Sequence, residues 1–137
     1  DPETILTNPD DVEKFIEITD VDALAIAIGT AHGVYLKTPV LNIDRLDEIT
    51  SVCECPLVLH GGSGTPEDQI KTAIDHGITK INIFSDIIVA LNSGLKQKLN
   101  TMRNPATWPV YVFEEARIRM KDAVRLKIHS FGSGNRV

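Results

Sequence analysis

A glycine-rich turn between an apolar strand and a helix start constrains the fold of this chain more than any other feature (Pro56–Pro66, PLVLHGGSGTP). The apolar run before the turn is short and bounded by breakers, which predicts a strand buried on both faces. Thr65 and Pro66 suit a helix start. A helix start behind glycines offers free N–H groups to an anion. We therefore expect His60, at the strand end, to lie beside a phosphate site. A strand-to-helix turn without a ligand would have the same sequence pattern.

Composition excludes several classes of function. The 137 residues carry a formal charge of −5, which argues against general nucleic-acid binding. No apolar run reaches membrane-spanning length and no signal peptide opens the chain, so we expect a cytoplasmic protein. Cys53 and Cys55 do not have the CxxC spacing of metal or redox motifs, and we interpret them as reduced thiols.

Helical and strand patterns alternate along the chain and predict repeated βα units. Such units form a parallel sheet whose ligand groups gather at the carboxyl ends of the strands. Three strands cannot close a barrel, and a (β/α)₈ barrel needs about 250 residues. The sequence therefore predicts an α/β fold, the C-terminal portion of a TIM (β/α)₈ barrel, with its N-terminal half absent. The predicted elements are a helix from Asn8, strand Ala23–Ile28, a helix with apolar positions from Ile43 to Val52, strand Leu57–Leu59, a helix from Thr65 to Gly77, strand Lys80–Phe84, a helix capped by Ser85 and broken at Asn104–Pro105, and helix Val110–Ser130.

Two histidines follow predicted strands one βα unit apart. His32 and His60 are flanked by small residues and would face each other across neighbouring strand ends. Catalytic zinc usually takes three protein ligands, so the pair would supply part of a metal site. Each histidine taken alone could equally be a loop or core residue. His76 and His129 are not assigned to the site.

Polar residues at the end of the third predicted strand are further candidates. Asn82 interrupts an otherwise apolar strand, which costs stability unless its amide finds partners. It could bind a ligand or be a hydrogen-bonded group of the core. Ser85 could bind phosphate or simply cap a helix. Lys80 is a weak candidate for imine chemistry.

Three motifs together resemble the zinc-dependent class II fructose-bisphosphate aldolases: AIAIGTAHGVY over 25–35, LVLHGGSG over 57–64 and KINIFS over 80–85. The tail FGSGNR over 131–136 is similar to the end of some members. The resemblance spans the whole chain and implies one domain over residues 1–137, the C-terminal half of an aldolase barrel, with 103–137 as a helical extension.

The resemblance implies a role for each matching residue. His32 and His60 would be two of three Zn²⁺ ligands. Gly33, Gly61 and Ser63 would bind the phosphate of dihydroxyacetone phosphate and a monovalent cation, Na⁺ or K⁺. Ser85 would also contact the phosphate, and Asn82 would contact the substrate near its reacting oxygens. Phe84 departs from the family pattern, and Arg136 would meet the second phosphate. The third histidine, the acid/base aspartate and a loop glutamate are expected upstream, so no catalytic acid/base is assigned here.

The implied reaction is reversible cleavage of fructose 1,6-bisphosphate into two triose phosphates. The enzyme would be a homo-oligomer, a dimer or a tetramer, and would bind neither nucleic acid nor membrane. This chain alone is expected to be inactive. One alternative is an aldolase for tagatose 1,6-bisphosphate or another ketose bisphosphate. Another is a phosphosugar-binding barrel without catalysis.

Overall fold

The computed structural model describes residues 6–30 and 38–135, and this part of the chain contains five helices and three strands. It divides into two compact units, Asp1–Ile83 and Phe84–Val137, which are described separately. The elements are α1 (Pro9–Thr19), β1 (Leu24–Ile26), α2 (Ile43–Val52), β2 (Leu57–Leu59), α3 (Glu67–Asp75), β3 (Ile78–Ile81), α4 (Ser85–Thr101) and α5 (Pro109–Ser130).

The first unit contains a parallel three-stranded sheet in the order β1-β2-β3. Leu24, Ala25 and Ile26 pair with the three residues of β2 in register. The pairing of β2 with β3 has a shift between Leu57 and Val58. All three β2 residues are buried, as expected for a central parallel strand covered on both faces. The predicted α/β fold with a parallel sheet is confirmed.

Helices α1, α2 and α3 pack side by side in chain order. The apolar stripes of α2 and α3 supply much of the core, because Leu46, Ile49 and Ala73 are fully buried and Ile70 nearly so. The Asn8 side chain accepts a hydrogen bond from the Asp10 N–H and caps α1 as predicted. The consecutive helices therefore form one layer with a common core.

The second unit is a pair of packed helices, α4 and α5. Gly94 and Ala116 are its buried residues at the point of closest approach. A Cβ at position 94 would lie 2.5 Å from Ala116 Cα, so only glycine allows this spacing. Leu99, a large apolar residue of α4, is exposed. Small residues, not large apolar ones, therefore set the closest contact between the two helices.

Several predicted boundaries are wrong. Strand β1 is shorter than predicted, and β3 begins at Ile78 and ends at Ile81. Helix α3 begins at Glu67 with Pro66 at the N-cap and no side-chain cap, so Thr65 is not the cap. Gly77 ends α3 with φ +113°, as predicted from its lack of a side chain. None of the helices in the described ranges is long and apolar enough to cross a membrane.

Candidate active site

His60 is the residue directly after β2, at the carboxyl end of the sheet. Its side chain is half-buried, and its backbone carbonyl accepts a hydrogen bond from the Thr30 hydroxyl. Thr30 follows β1, so this bond joins the ends of two neighbouring strands. The position of His60 at the strand end agrees with the prediction from sequence.

The glycine turn after His60 forms a buried loop. Gly61 and Gly64 have φ of +67° and +74°, which side chains rarely allow. Gly61, Gly62 and Ser63 are all buried, and Ser63 is only 6% exposed. A Cβ on Gly62 would lie 2.5 Å from Ile81 Cγ2. The loop thus needs glycine for its backbone angles and for its close contact with β3.

The Thr65 hydroxyl at the entry to α3 is buried, and its Oγ1 has no hydrogen-bond partner in the described part of the chain. The Thr65 N–H donates to Gly62 O at 3.4 Å, which closes the turn. A buried hydroxyl without a partner costs about 1–3 kcal/mol. An anion at the N-terminus of α3 would accept its hydrogen bond. Sequence inspection missed this feature, because Thr65 suits a helix cap equally well.

Asn82 is held against the glycine turn by its backbone. Its carbonyl accepts from Gly62 N–H at 3.2 Å, and its N–H donates to Leu59 O at 3.1 Å. Lys80 Nζ donates to Asn82 Oδ1 at 2.6 Å. An ammonium only donates hydrogen bonds, so this contact fixes which amide atom is oxygen. The amide Nδ2, a donor of two hydrogen bonds, is thereby directed away from Lys80.

Side chains alternate along the predicted strand Lys80–Phe84, which places Lys80 and Asn82 on one side, yet the sequence did not reveal that they are bonded. Lys80 is exposed and Asn82 is half-buried, so the partner of the amide oxygen lies at the surface and not in a core.

Ser85 is the first residue of α4, in the second unit, and Phe84 is at the N-cap without a side-chain cap bond. The prediction that Ser85 caps this helix is therefore wrong. His32, Gly33 and Arg136 lie outside the described residues. His76 ends α3, and its Nδ1 is 2.6 Å from Asp47 Oδ1 on α2, which is a structural role on the surface.

His60 is chemically suited to hold a divalent metal, because imidazole is a preferred zinc ligand and the ring lies at a strand end. Across residues 6–30 and 38–135, no group of three His, Cys, Asp or Glu side chains is placed to hold a metal ion. His60 is thus a single fitting donor, without two further such side chains placed beside it in the described ranges.

The strand-end histidine and the buried glycine turn lie at the carboxyl end of a parallel sheet, which is where α/β enzymes of this architecture hold their ligands. The family model for class II fructose-bisphosphate aldolases matches residues 1–136. This chain belongs to the class II fructose-bisphosphate aldolase family.

Solved structures of aldolases have the same fold. The YdjI aldolase of Escherichia coli K12 is 37% identical with a TM-score of 0.83, over 96% of this chain and 47% of that one. A Coccidioides immitis protein described as a fructose-1,6-bisphosphate aldolase is 25% identical with a TM-score of 0.80, over 96% and 45%. The fructose-bisphosphate aldolase of Campylobacter jejuni, 22% identical with a TM-score of 0.71 over 93% and 45%, has a similar fold. The chain spans about half the length of the aldolases that it matches.

Proposed function

We propose that this chain is the C-terminal half of a (β/α)₈-barrel aldolase that reversibly cleaves fructose 1,6-bisphosphate into dihydroxyacetone phosphate and glyceraldehyde 3-phosphate. In this proposal, residues 1–137 form one domain with the extension at 103–137. The enzyme is a cytoplasmic homo-oligomer, dimer or tetramer. The observation that carries the proposal is the buried glycine turn between the half-buried His60 and the backbone of Asn82.

Two features of the first unit favour a barrel segment over an open doubly wound sheet. The strands follow one another in chain order, without the reversal of order at which doubly wound sheets bind nucleotides. The helices α1, α2 and α3 also pack on one another in sequence. Both features are those of consecutive βα units around a barrel.

The phosphate would bind at the glycine turn. The N–H groups of a helix N-terminus and the hydroxyls of Ser63 and Thr65 are donors suited to phosphate oxygens. Glu67 in the first turn would repel an anion, but its carboxylate pairs with Lys71 at 2.6 Å along the helix. Gly33 and Gly61, with Ser63, complete the proposed phosphate and monovalent-cation (Na⁺ or K⁺) site of the first unit. The phosphate role of Ser85, in the second unit, stays a prediction. Holding the phosphate fixes the reacting carbons in position.

Asn82 would donate from Nδ2 to an oxygen next to the bond that breaks. Negative charge develops on this part of the substrate during aldol cleavage, and donors fixed in advance stabilise such charge. The contact with Lys80 keeps the amide in the donating orientation. The aspartate that transfers the proton is expected outside this chain.

His60 and His32 would hold the metal together with a third ligand outside this chain, and Zn²⁺ suits a histidine donor set. A bound divalent metal would act as a Lewis acid that stabilises negative charge on the substrate oxygens. The test is metal content and aldol cleavage of fructose 1,6-bisphosphate in the complete enzyme. Turnover that survives both chelation and His60→Ala would contradict the proposal.

A second candidate is an aldolase for tagatose 1,6-bisphosphate or another ketose bisphosphate. Cleavage rates on the two sugars distinguish the candidates. If the complete protein bound phosphosugars but did not cleave them, it would instead be a non-catalytic binding protein.

A further inference from the structure

Two cysteine side chains lie together at the amino end of β2, at the opposite end of that strand from His60. Cys53 is the C-cap residue of α2, with an extended backbone at φ −143° and ψ 117°. Cys55 follows two residues later, just before the strand. Both side chains are partly exposed and neither is in a disulfide. They are the only cysteines of the sequence.

The two thiols lie against the same short piece of backbone. Cys53 Sγ lies 3.5 Å from the carbonyl oxygen of Cys55, and Cys55 Sγ lies 3.7 Å from that of Pro56. Residues two apart have Cα atoms at most about 7 Å apart. That maximum lies just above the range that a disulfide spans, about 4.4–6.8 Å, so a backbone that is less than fully extended between the two residues brings them within it.

We propose that Cys53 and Cys55 form a dithiol modification site, which a small-molecule disulfide oxidises to a Cys53–Cys55 disulfide within one chain. This site is separate from the proposed aldolase function and does not depend on it. The argument rests on the adjacency and partial exposure of the thiols.

The reaction proceeds by two exchanges. The Cys53 thiolate attacks one sulfur of the small disulfide RSSR. The S–S bond of RSSR breaks, one RS⁻ leaves and takes up a proton, and Cys53 carries the SR group. The Cys55 thiolate then attacks the Cys53 sulfur, which forms the Cys53–Cys55 bond and releases the second RSH. Two cysteine thiols are oxidised, and one RSSR is reduced to two RSH.

The fold favours this order of events. Burial, followed by the neighbouring Cys53 thiol, raises the pKa of the Cys55 thiol. Cys55 therefore keeps its proton more readily and suits the second step, in which the attack is intramolecular. Glu54 separates the two cysteines and is exposed, so a neutral disulfide is a better probe than an anionic one.

The test treats the folded chain with excess bis(2-hydroxyethyl) disulfide, a neutral probe, and follows the mass. We expect the chain to lose both thiols, to decrease in mass by two hydrogen atoms and to carry no probe. The tryptic peptide Leu46–Lys71 contains both cysteines and locates the bond. The far-ultraviolet circular dichroism should be unchanged on oxidation.

Two single variants serve as matched controls. Cys53→Ser and Cys55→Ser should each stop at a mixed disulfide that carries one probe group, because the second thiol is missing. Wild-type chains that end with two probe groups, form disulfide-linked dimers, remain unmodified or lose their circular dichroism on oxidation would overturn the proposal.

Discussion

Lys80 Nζ, on β3, donates a hydrogen bond at 2.6 Å to Oδ1 of Asn82, the residue that follows the strand. The contact leaves the amide nitrogen as the group that a ligand can meet. An otherwise unassigned lysine thus gains a positioning role in the proposed site.

Replacing this lysine should impair catalysis in the complete enzyme. We expect Lys80→Met to lower kcat by up to about a hundred-fold, because a mispositioned amide loses its hold on the reacting oxygens. Lys80→Arg keeps donors and should recover much of the loss. Steady-state kinetics measure both effects. Lys14→Met removes an exposed lysine of α1 and should leave kcat unchanged. Equal kcat values for Lys80→Met and wild type would refute the positioning role.

The Thr65 hydroxyl should reveal whether the glycine turn binds an anion. Without ligand, we expect Thr65→Val to raise the free energy of unfolding by about 1 kcal/mol, because it removes a buried group without a partner. In phosphate or dihydroxyacetone phosphate, the wild-type chain should gain more stability than the variant. Thermal unfolding with and without ligand measures the difference. Thr72→Val, at an exposed helical position, is the control. If the ligand stabilised wild type and Thr65→Val equally, the Thr65 hydroxyl would be excluded from the site.

Position 62 should tolerate only glycine. In Gly62→Ala the added methyl would lie 2.5 Å from Ile81 Cγ2 and 3.3 Å from Asn82 O. We expect a loss of about 1–3 kcal/mol in the free energy of unfolding, as for overpacked cores. Urea denaturation measures it. Gly134→Ala is a matched control, because its nearest neighbour is 4.0 Å away. The two variants should therefore differ clearly, and equal stability would argue against the close contact.

Metal binding should depend on His60. In the complete enzyme, a chelator should abolish cleavage and added Zn²⁺ should restore it, and His60→Ala should contain little metal. Elemental analysis and activity measure these effects. His76→Ala removes a surface histidine paired with Asp47 and should keep the metal. A metal content of His60→Ala equal to that of wild type would remove this residue from the ligand set.

The reactivity of Cys55 should depend on folding and pH. Burial raises its pKa in the folded chain, so at neutral pH it has less thiolate than in the unfolded chain. In Cys53→Ser, we expect Cys55 to react with a thiol reagent more slowly in the folded chain than in urea. The difference between the two rates should shrink as the pH rises and should disappear above the folded pKa of Cys55, because the thiol is then ionised in both states. A stopped-flow pH series measures the rates. Faster reaction of the folded chain would contradict the prediction.

The sequence predicted the order of elements and the strand end at His60 because both follow from local patterns. Apolar runs, breakers and the glycine turn depend on neighbours in the chain. The contacts of Thr30 with His60 and of Gly94 with Ala116 could not be predicted, because they join residues distant in sequence. The hydrogen bond between Lys80 and Asn82 joins residues only two positions apart, but it depends on side-chain rotamers that no sequence pattern specifies. The roles of His32 and Gly33 stay predictions, since these residues lie outside the described part of the chain.

The hydrogen bond from the Thr30 hydroxyl to the His60 carbonyl has a consequence for ligand binding. It holds two neighbouring strand ends at a set spacing. In the proposed enzyme, less conformational entropy would then be lost when the ligand binds at these ends. Preorganisation of this kind increases affinity without any direct contact, so the Thr30 hydroxyl would strengthen binding through the spacing of the strand ends alone.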